Sequence, residues 1–140
     1  MNINSIIKDR KNGYISVQTI SNSNYKLAGL LDDLHFEPQS NNLKECDIFY
    51  AQEVLKTILW KDLAYSSEQI PESDAIERAS FLVSLFSDEL TLFYTNGDWK
   101  NYHTNKSNTG WSPLTQSTFD AGILFVNELV CTSIWVEDED

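Results

Sequence analysis

The chain has 140 residues, the length of one ordinary domain, and 41% of them are hydrophobic and 12% aromatic. That is far from the composition that keeps a chain disordered, so one core-forming domain over residues 1–140 is expected. Ten basic residues against 21 acidic ones leave a formal charge of −11, a balance that repels nucleic-acid backbones and anionic lipid and speeds encounter with basic proteins.

Residues 1–10 are polar and lack the apolar stretch of a secretory leader. No apolar run approaches the ~20 residues that cross a bilayer. The expectation is a cytoplasmic protein without membrane contact, its two cysteines, Cys46 and Cys131, reduced and packed.

In chain order, residues 13–20 are β-rich and alternate, which predicts a short strand. The run Ser21-Asn22-Ser23-Asn24 supplies N-cap candidates for a helix from Tyr25 to Leu34, which Gly29 weakens. Residues 38–42 are a polar break. Between residues 45 and 63, Ile48, Ala51, Leu55, Ile58, Leu59 and Leu63 form an apolar stripe, and a second helix is expected there. Pro71 followed by Glu72 and Asp74 suits a helix start, and Ala75, Ala79, Leu82, Val83 and Phe86 continue a third helix.

After Asp88 the period changes. Leu90, Leu92 and Tyr94 alternate with Thr91, Phe93 and Thr95, and Asn96-Gly97 predicts a hairpin whose return strand is residues 99–102. Residues 104–120 are rich in Asn, Ser and Thr yet contain Trp111 and Phe119; a connection of that length points to function. Two β-branched runs, 121–126 and 130–136, predict a central hairpin, and Glu137-Asp138-Glu139-Asp140 closes the chain. The fold expected is α+β: an N-terminal strand and about three helices packed on one face of a mostly antiparallel C-terminal sheet.

The chemistry-bearing residues are sparse. His35 and His103 have no metal-ligand spacing, and His35 reads as a residue suited to a helix C-terminus. No G-x-S-x-G elbow or glycine-rich phosphate loop occurs among the five glycines, and both cysteines sit in apolar surroundings. Neither cofactor nor metal is expected, and a binding protein is favoured over an enzyme. Acidic pairs such as Asp32-Asp33, Asp88-Glu89 and the tail keep a small metal-dependent hydrolase open as an alternative. They suit better the mimicry of nucleic acid before a basic enzyme, through carboxylate-to-arginine bonds. Tryptophans are the residue type that anchors interfaces, although Trp60 and Trp135 read as core. The candidate partner-binding residues are Asp32, Asp33, Asp98, Trp99, His103, Trp111, Glu137, Asp138, Glu139 and Asp140.

The C-terminal third, with Gly110-Trp111-Ser112-Pro113-Leu114-Thr115, then Thr118-Phe119-Asp120-Ala121-Gly122-Ile123 and the ending Ile134-Trp135-Val136-Glu137-Asp138-Glu139-Asp140, resembles small bacterial immunity proteins of toxin competition systems. These include the partners of contact-dependent growth inhibition toxins. The resemblance implies a cytoplasmic antitoxin that binds one cognate toxin domain, often a basic nuclease, and blocks its active site without touching nucleic acid itself. Contact surfaces in such families diverge, so it assigns no residue a role. A regulatory adaptor for a non-enzymatic host protein is the alternative of a different class.

Overall fold

The two β-branched C-terminal runs form the centre of the molecule. In the computed structural model, which describes residues 1–23 and 26–140, strands β4 (Phe119–Val126) and β5 (Val130–Asp138) pair in an antiparallel hairpin, and both are buried along nearly their whole length. Strand β1 (Tyr14–Ser21) flanks β5 in eight consecutive pairs, Tyr14 opposite Glu137 through Ser21 opposite Val130. On the other side, β3 (Leu92–Thr95) flanks β4 and the short β2 (Lys44–Cys46) flanks β3. The five-stranded sheet is antiparallel throughout, in the order β1-β5-β4-β3-β2.

The α+β architecture and the N-terminal strand agree with the sequence reading, but the helices do not share one face. Helices α3 (Ile48–Trp60) and α4 (Glu72–Phe86) pack against Ala121, Ile123, Phe125, Ile134 and Val136. Helix α2 (Leu27–Asp33) lies on the opposite face, where Leu30, Leu31 and Leu34 meet Leu124, Cys131 and Trp135. Alternate residues of β4 and β5 thus enter two cores. The continuous apolar runs of these strands require two covered faces; a sheet covered on one side would alternate apolar with polar.

Local chemistry accounts for the main helices. The Asp47 carboxylate accepts from Tyr50 N–H at 2.8 Å, capping α3, whose Ala51, Val54, Leu55, Ile58 and Leu59 are buried at helical spacing. Pro71 stands at the N-cap of α4, and Glu72 and Asp74 occupy its first turn, where the helix dipole favours negative charge. Helix α2 begins after Lys26, which makes no side-chain capping bond; of the expected capping run and helix start, Asn24 and Tyr25 lie outside the described residues.

Three features depart from expectation. Helix α1 (Ile3–Lys8) precedes β1 and buries a single residue, Ile6, too few for a periodic signal. Residues Lys44–Cys46, Cys46 among them, are strand and not helix; a three-residue segment holding Lys and Glu becomes a strand only because β3 offers an edge. Asn96-Gly97 is not a hairpin turn. The Asn96 side chain is buried and donates to the carbonyls of Ser112 and Asp120, and Gly97 bridges to Trp111, whose Cβ would lie 2.5 Å from any Cβ at position 97. The expected return strand, 99–102, is instead part of a folded excursion closed at its base by Asp98 N–H to Gly110 O (2.8 Å) and Ser112 N–H to Asn96 O (2.8 Å).

The ends of the chain meet through a buried ion pair. Arg10 donates to Asp138 at 2.5 Å, and their side chains are 3% and 2% exposed. Arg10 also donates to Ile58 O, and Asp138 accepts from Leu63 N–H at 2.8 Å, so one carboxylate joins β5 to α3 and its C-terminal loop. Gly13, at φ +79°, passes against it: a Cβ there would sit 1.6 Å from Asp138 Oδ1. Neutralising one partner of such a pair strands the other charge in the interior. Asp138→Asn is therefore expected to cost ~3 kcal/mol in urea unfolding, against little change for Asp140→Asn at the exposed end of the chain.

Candidate functional site

Helix α2 ends by a specific chain reversal that shapes the surface beside it. Phe36 N–H donates to Leu31 O (2.9 Å) and His35 N–H to Asp32 O (3.0 Å), the two bonds of a Schellman ending, with His35 in the left-handed region at φ 66°. Glycine is the usual residue there because a side chain adds strain. The reversal folds Phe36 back onto Trp135, ring centroids 5.2 Å apart, and carries Glu37 to Leu114, whose carbonyl accepts its N–H at 2.9 Å.

Because α2 lies over β4 and β5, it covers only the far end of β1. Ile20 packs under it, whereas Tyr14, Ser16 and Gln18 face an open cleft of about 720 Å³ bounded by residues 34–37 and 114–116. Among the described residues, two carboxylates line it, Glu37 from the α2 side and Glu137 from β5, and no lysine or arginine does. Glu37 accepts from Gln116 Nε2 at 2.7 Å and Glu137 from the Ser117 hydroxyl at 2.9 Å. These donors are neutral and, among the described residues, no ion pair involves either carboxylate. Asp32 and Asp33 stand exposed in the last turn of α2, directly before the cleft wall. The helix dipole disfavours negative charge at that end.

A third carboxylate, fully buried, builds the cleft wall without facing it. Asp120 accepts from Leu114 N–H, Thr115 N–H and the Thr115 hydroxyl, holding the 112–116 segment, and from Asn96 Nδ2 and Trp135 Nε1 on the sheet. Burial pushes its pKa up, and the donors from Leu114, Thr115 and Trp135 pull it back.

The remaining candidates are scattered. Asp98 is exposed and paired with Lys44, at the β2 end of the sheet. Trp99 is entirely buried, its indole N–H donating to Asn96 at 3.0 Å, and Trp111 is half-buried between Trp99 and Phe119; Trp99 is core and offers no surface to a partner. Asp138 is the internal ion-pair residue, not part of an exposed tail. Glu139 and Asp140 are exposed, Glu139 holding Thr118 through a hydroxyl and an N–H bond that lower its pKa. Of the ten, only Glu137 lines the cleft, and Asp32 and Asp33 stand in the helical turn that precedes its Leu34 wall. His35 and Glu37 were missed as part of it; the signal for them was a helix ending without glycine.

His103 lies elsewhere, against α3. Its Nε2–H donates to Thr57 O at 3.0 Å, so Nδ1 accepts from the Ser66 hydroxyl at 2.7 Å. That is the spacing of a nucleophile and its base, and Ser66 has φ 53°. Yet Ser66 is not among the residues lining the cleft that His103 borders, and burial, assisted by Lys61 and Lys106, pushes the imidazole down to about 4, too weakly basic to deprotonate a hydroxyl near neutral pH. The contact clasps the 62–67 loop to α3. The thiols are also unreactive in kind: burial pushes Cys46 up to about 11 and Cys131 up to about 12. Among the described residues, no group of three or more His, Cys, Asp and Glu side chains could hold a metal ion. Among the described residues, no helix is long and apolar enough to cross a membrane.

The chain matches no family model, no curated protein and no solved structure. The cleft therefore has to be read from its own chemistry: open, acidic on two sides, polar along β1, and walled by segments that Asp120 holds in place.

Two measurements check this account. Asp120→Asn presents an amide N–H to five donors and is expected to cost ~2–4 kcal/mol in urea unfolding. For His103, a folded pKa near 4 against an ordinary 6.5 means the native state binds fewer protons than the unfolded one. Its contribution is complete above about pH 6.5 and is lost as pH falls through that value towards 4. For a ring that keeps partial solvent contact the loss should be about 1–2 kcal/mol. His103→Gln, which keeps a donor and an acceptor without the titration, should remove that part of the difference between unfolding curves at pH 7 and pH 5.

Proposed function

We propose that this chain is an immunity protein, acting in the cytoplasm, that binds a basic toxin domain, of the nuclease class, and occludes the cationic surface with which that domain would hold nucleic acid. The observation that carries the reading is the cleft between α2 and β1, which Glu37 and Glu137 both line and which, among the described residues, no lysine or arginine lines. A nuclease groove presents arginines and lysines arranged for phosphates. Carboxylates set into a concave surface can receive the same side chains through charge-assisted, bidentate bonds.

Three further features support the reading. The net charge of −11 draws a basic partner from a distance and raises the association rate. Asp32 stands exposed in the last turn of α2, where the helix dipole disfavours negative charge. His35 keeps a side chain at a left-handed position that glycine would occupy with less strain, and that side chain lines the cleft.

The test is retention of the partner on the immobilised protein from lysate of the source cell, at low and at high salt, followed by assay of what is retained. The expected partner is a single basic protein whose nuclease activity disappears at one equivalent of this chain. The double variant Glu37→Gln/Glu137→Gln should melt as the parent does and associate about tenfold more slowly at low salt, with the difference shrinking as salt rises. An acidic partner, or one whose activity survives saturation, would refute the proposal and leave the adaptor reading.

A further inference from the structure

The two edges of the sheet are built differently. At one edge, β2 is three residues long and carries Lys44 and Glu45, the short, charged design that keeps an edge from pairing with another chain. At the other, β1 reads Tyr-Ile-Ser-Val-Gln-Thr-Ile-Ser: eight residues with no charge, proline or glycine, in unbroken register with β5 and without a bulge. Such an edge is a template for another strand.

The phase of its backbone follows from one bond. Asn22 N–H donates to Leu129 O at 2.9 Å, one step beyond the Ser21 and Val130 pair. In an antiparallel ladder the bonded pairs recur every second residue, so Tyr14, Ser16, Gln18 and Ile20 direct their N–H and C=O groups at β5. Ile15, Val17, Thr19 and Ser21 therefore direct theirs outward. Among the described residues no hydrogen bond satisfies these outward groups, and Thr19 and Ser21 are exposed. On the α2 face this edge opens onto the acidic cleft, which Tyr14, Ser16 and Gln18 line.

We infer that β1 accepts an extended, basic segment of the partner as a sixth strand, its backbone bonded to Val17 and Thr19 and its alternate lysines or arginines reaching Glu37 and Glu137. The inference rests on the reading of the cleft as a site for a basic protein. A strand added beside β1 places every second side chain on the α2 face, so one register of Lys or Arg at alternate positions meets both carboxylates. A second copy of this chain fits the edge poorly, since it brings −11 against −11.

The probe is a fluorescent peptide of alternating Lys and Val as long as β1, with alternating Glu and Val as its acidic counterpart, titrated by anisotropy at low salt. Binding of the basic peptide alone is expected, together with at least about tenfold slower hydrogen exchange at the Val17 and Thr19 amides in the complex. Thr19→Pro removes an outward N–H that the ladder to β5 does not use, together with the Thr19 hydroxyl bond to Thr132 (2.9 Å); it should fold and bind the peptide at least about tenfold more weakly, whereas Thr19→Val, which removes the hydroxyl alone, should bind as the parent does. Gln18→Pro removes a bond to β5 and should fail to fold. Thr19→Lys should fold and also weaken binding of the basic peptide. If Glu37→Gln/Glu137→Gln abolishes binding while Thr19→Pro and the exchange rates leave it unaltered, strand addition is wrong and the acidic site stands. If neither peptide binds, or the acidic one binds as well, the basic-partner reading falls and the inference with it. A dimer in sedimentation that Thr19→Pro dissolves would assign the edge to a second copy and overturn the proposal.

Discussion

The cleft exists because a carboxylate with no solvent contact, Asp120, gathers its donors from two directions. Leu114 and Thr115 come from the irregular segment that forms one wall, and Trp135 and Asn96 from the sheet below. A buried charge is tolerated only when its lone pairs are filled, and here the filling groups fix loop and sheet at one distance. Trp135, held at its indole nitrogen, then presents its ring to Phe36, and Phe36 sets where α2 ends and Glu37 begins. Both walls therefore refer to the same atom pair. Asp138, two residues beyond the register partner of Asp120's neighbour Ala121, does the equivalent at the chain ends by joining Arg10 to the C-terminus of α3.

Away from that region local preference and global fold agree. Helices α3 and α4 have acidic residues at their starts, apolar stripes of the right period, and neighbours that bury them. At the α2 end the agreement stops. Two aspartates occupy a C-terminal turn, a histidine takes a conformation suited to glycine, and two glutamates converge without a cation. His35 and the two glutamates line one cleft, and the aspartates precede it in the chain. Clustering of that kind is the pattern expected where a binding surface constrains the sequence.

The parts of the fold that could be read from sequence were those where many residues repeat one message. Helices α3 and α4 each bury four or more residues at helical spacing, and β4 and β5 each carry a continuous apolar run with β-branched residues in it. Helix α1 and strand β2 send no such message, because one buried isoleucine and three residues of mixed polarity exist as elements only through what they pack or pair against. Asn96-Gly97 carried the sequence mark of a turn, but Asn96 spends its amide on a buried network that unites positions 99, 112 and 120, and no local rule contains those distances. The same limit governs the site. Acidic residues were readable as a set; which of them stand in solvent was not. Asp120 and Asp138 proved internal, while Glu37, an ordinary loop glutamate in the sequence, reached the cleft through the reversal at His35.

An open edge is a hazard for most proteins, and the usual protection is a charge or proline on the strand itself. Here β1 carries neither, and the rest of the chain supplies the equivalent from outside the strand. Paired strands lie ~4.8 Å apart, well inside the ~8 Å screening length at physiological ionic strength. Two copies approaching edge to edge would bring two chains of charge −11 together, Glu37 and Glu137 of each among them, a like-charge approach that salt weakens without abolishing. The same carboxylates attract a strand bearing lysine or arginine at alternate positions. On the proposed strand addition, net charge and edge chemistry act as one filter: the backbone of β1 is open to any strand, and the charge beside it favours one of opposite sign. The asymmetry between β1 and β2 follows, since β2 has Lys44 beside Asp98 and no comparable field of one sign to discriminate for it.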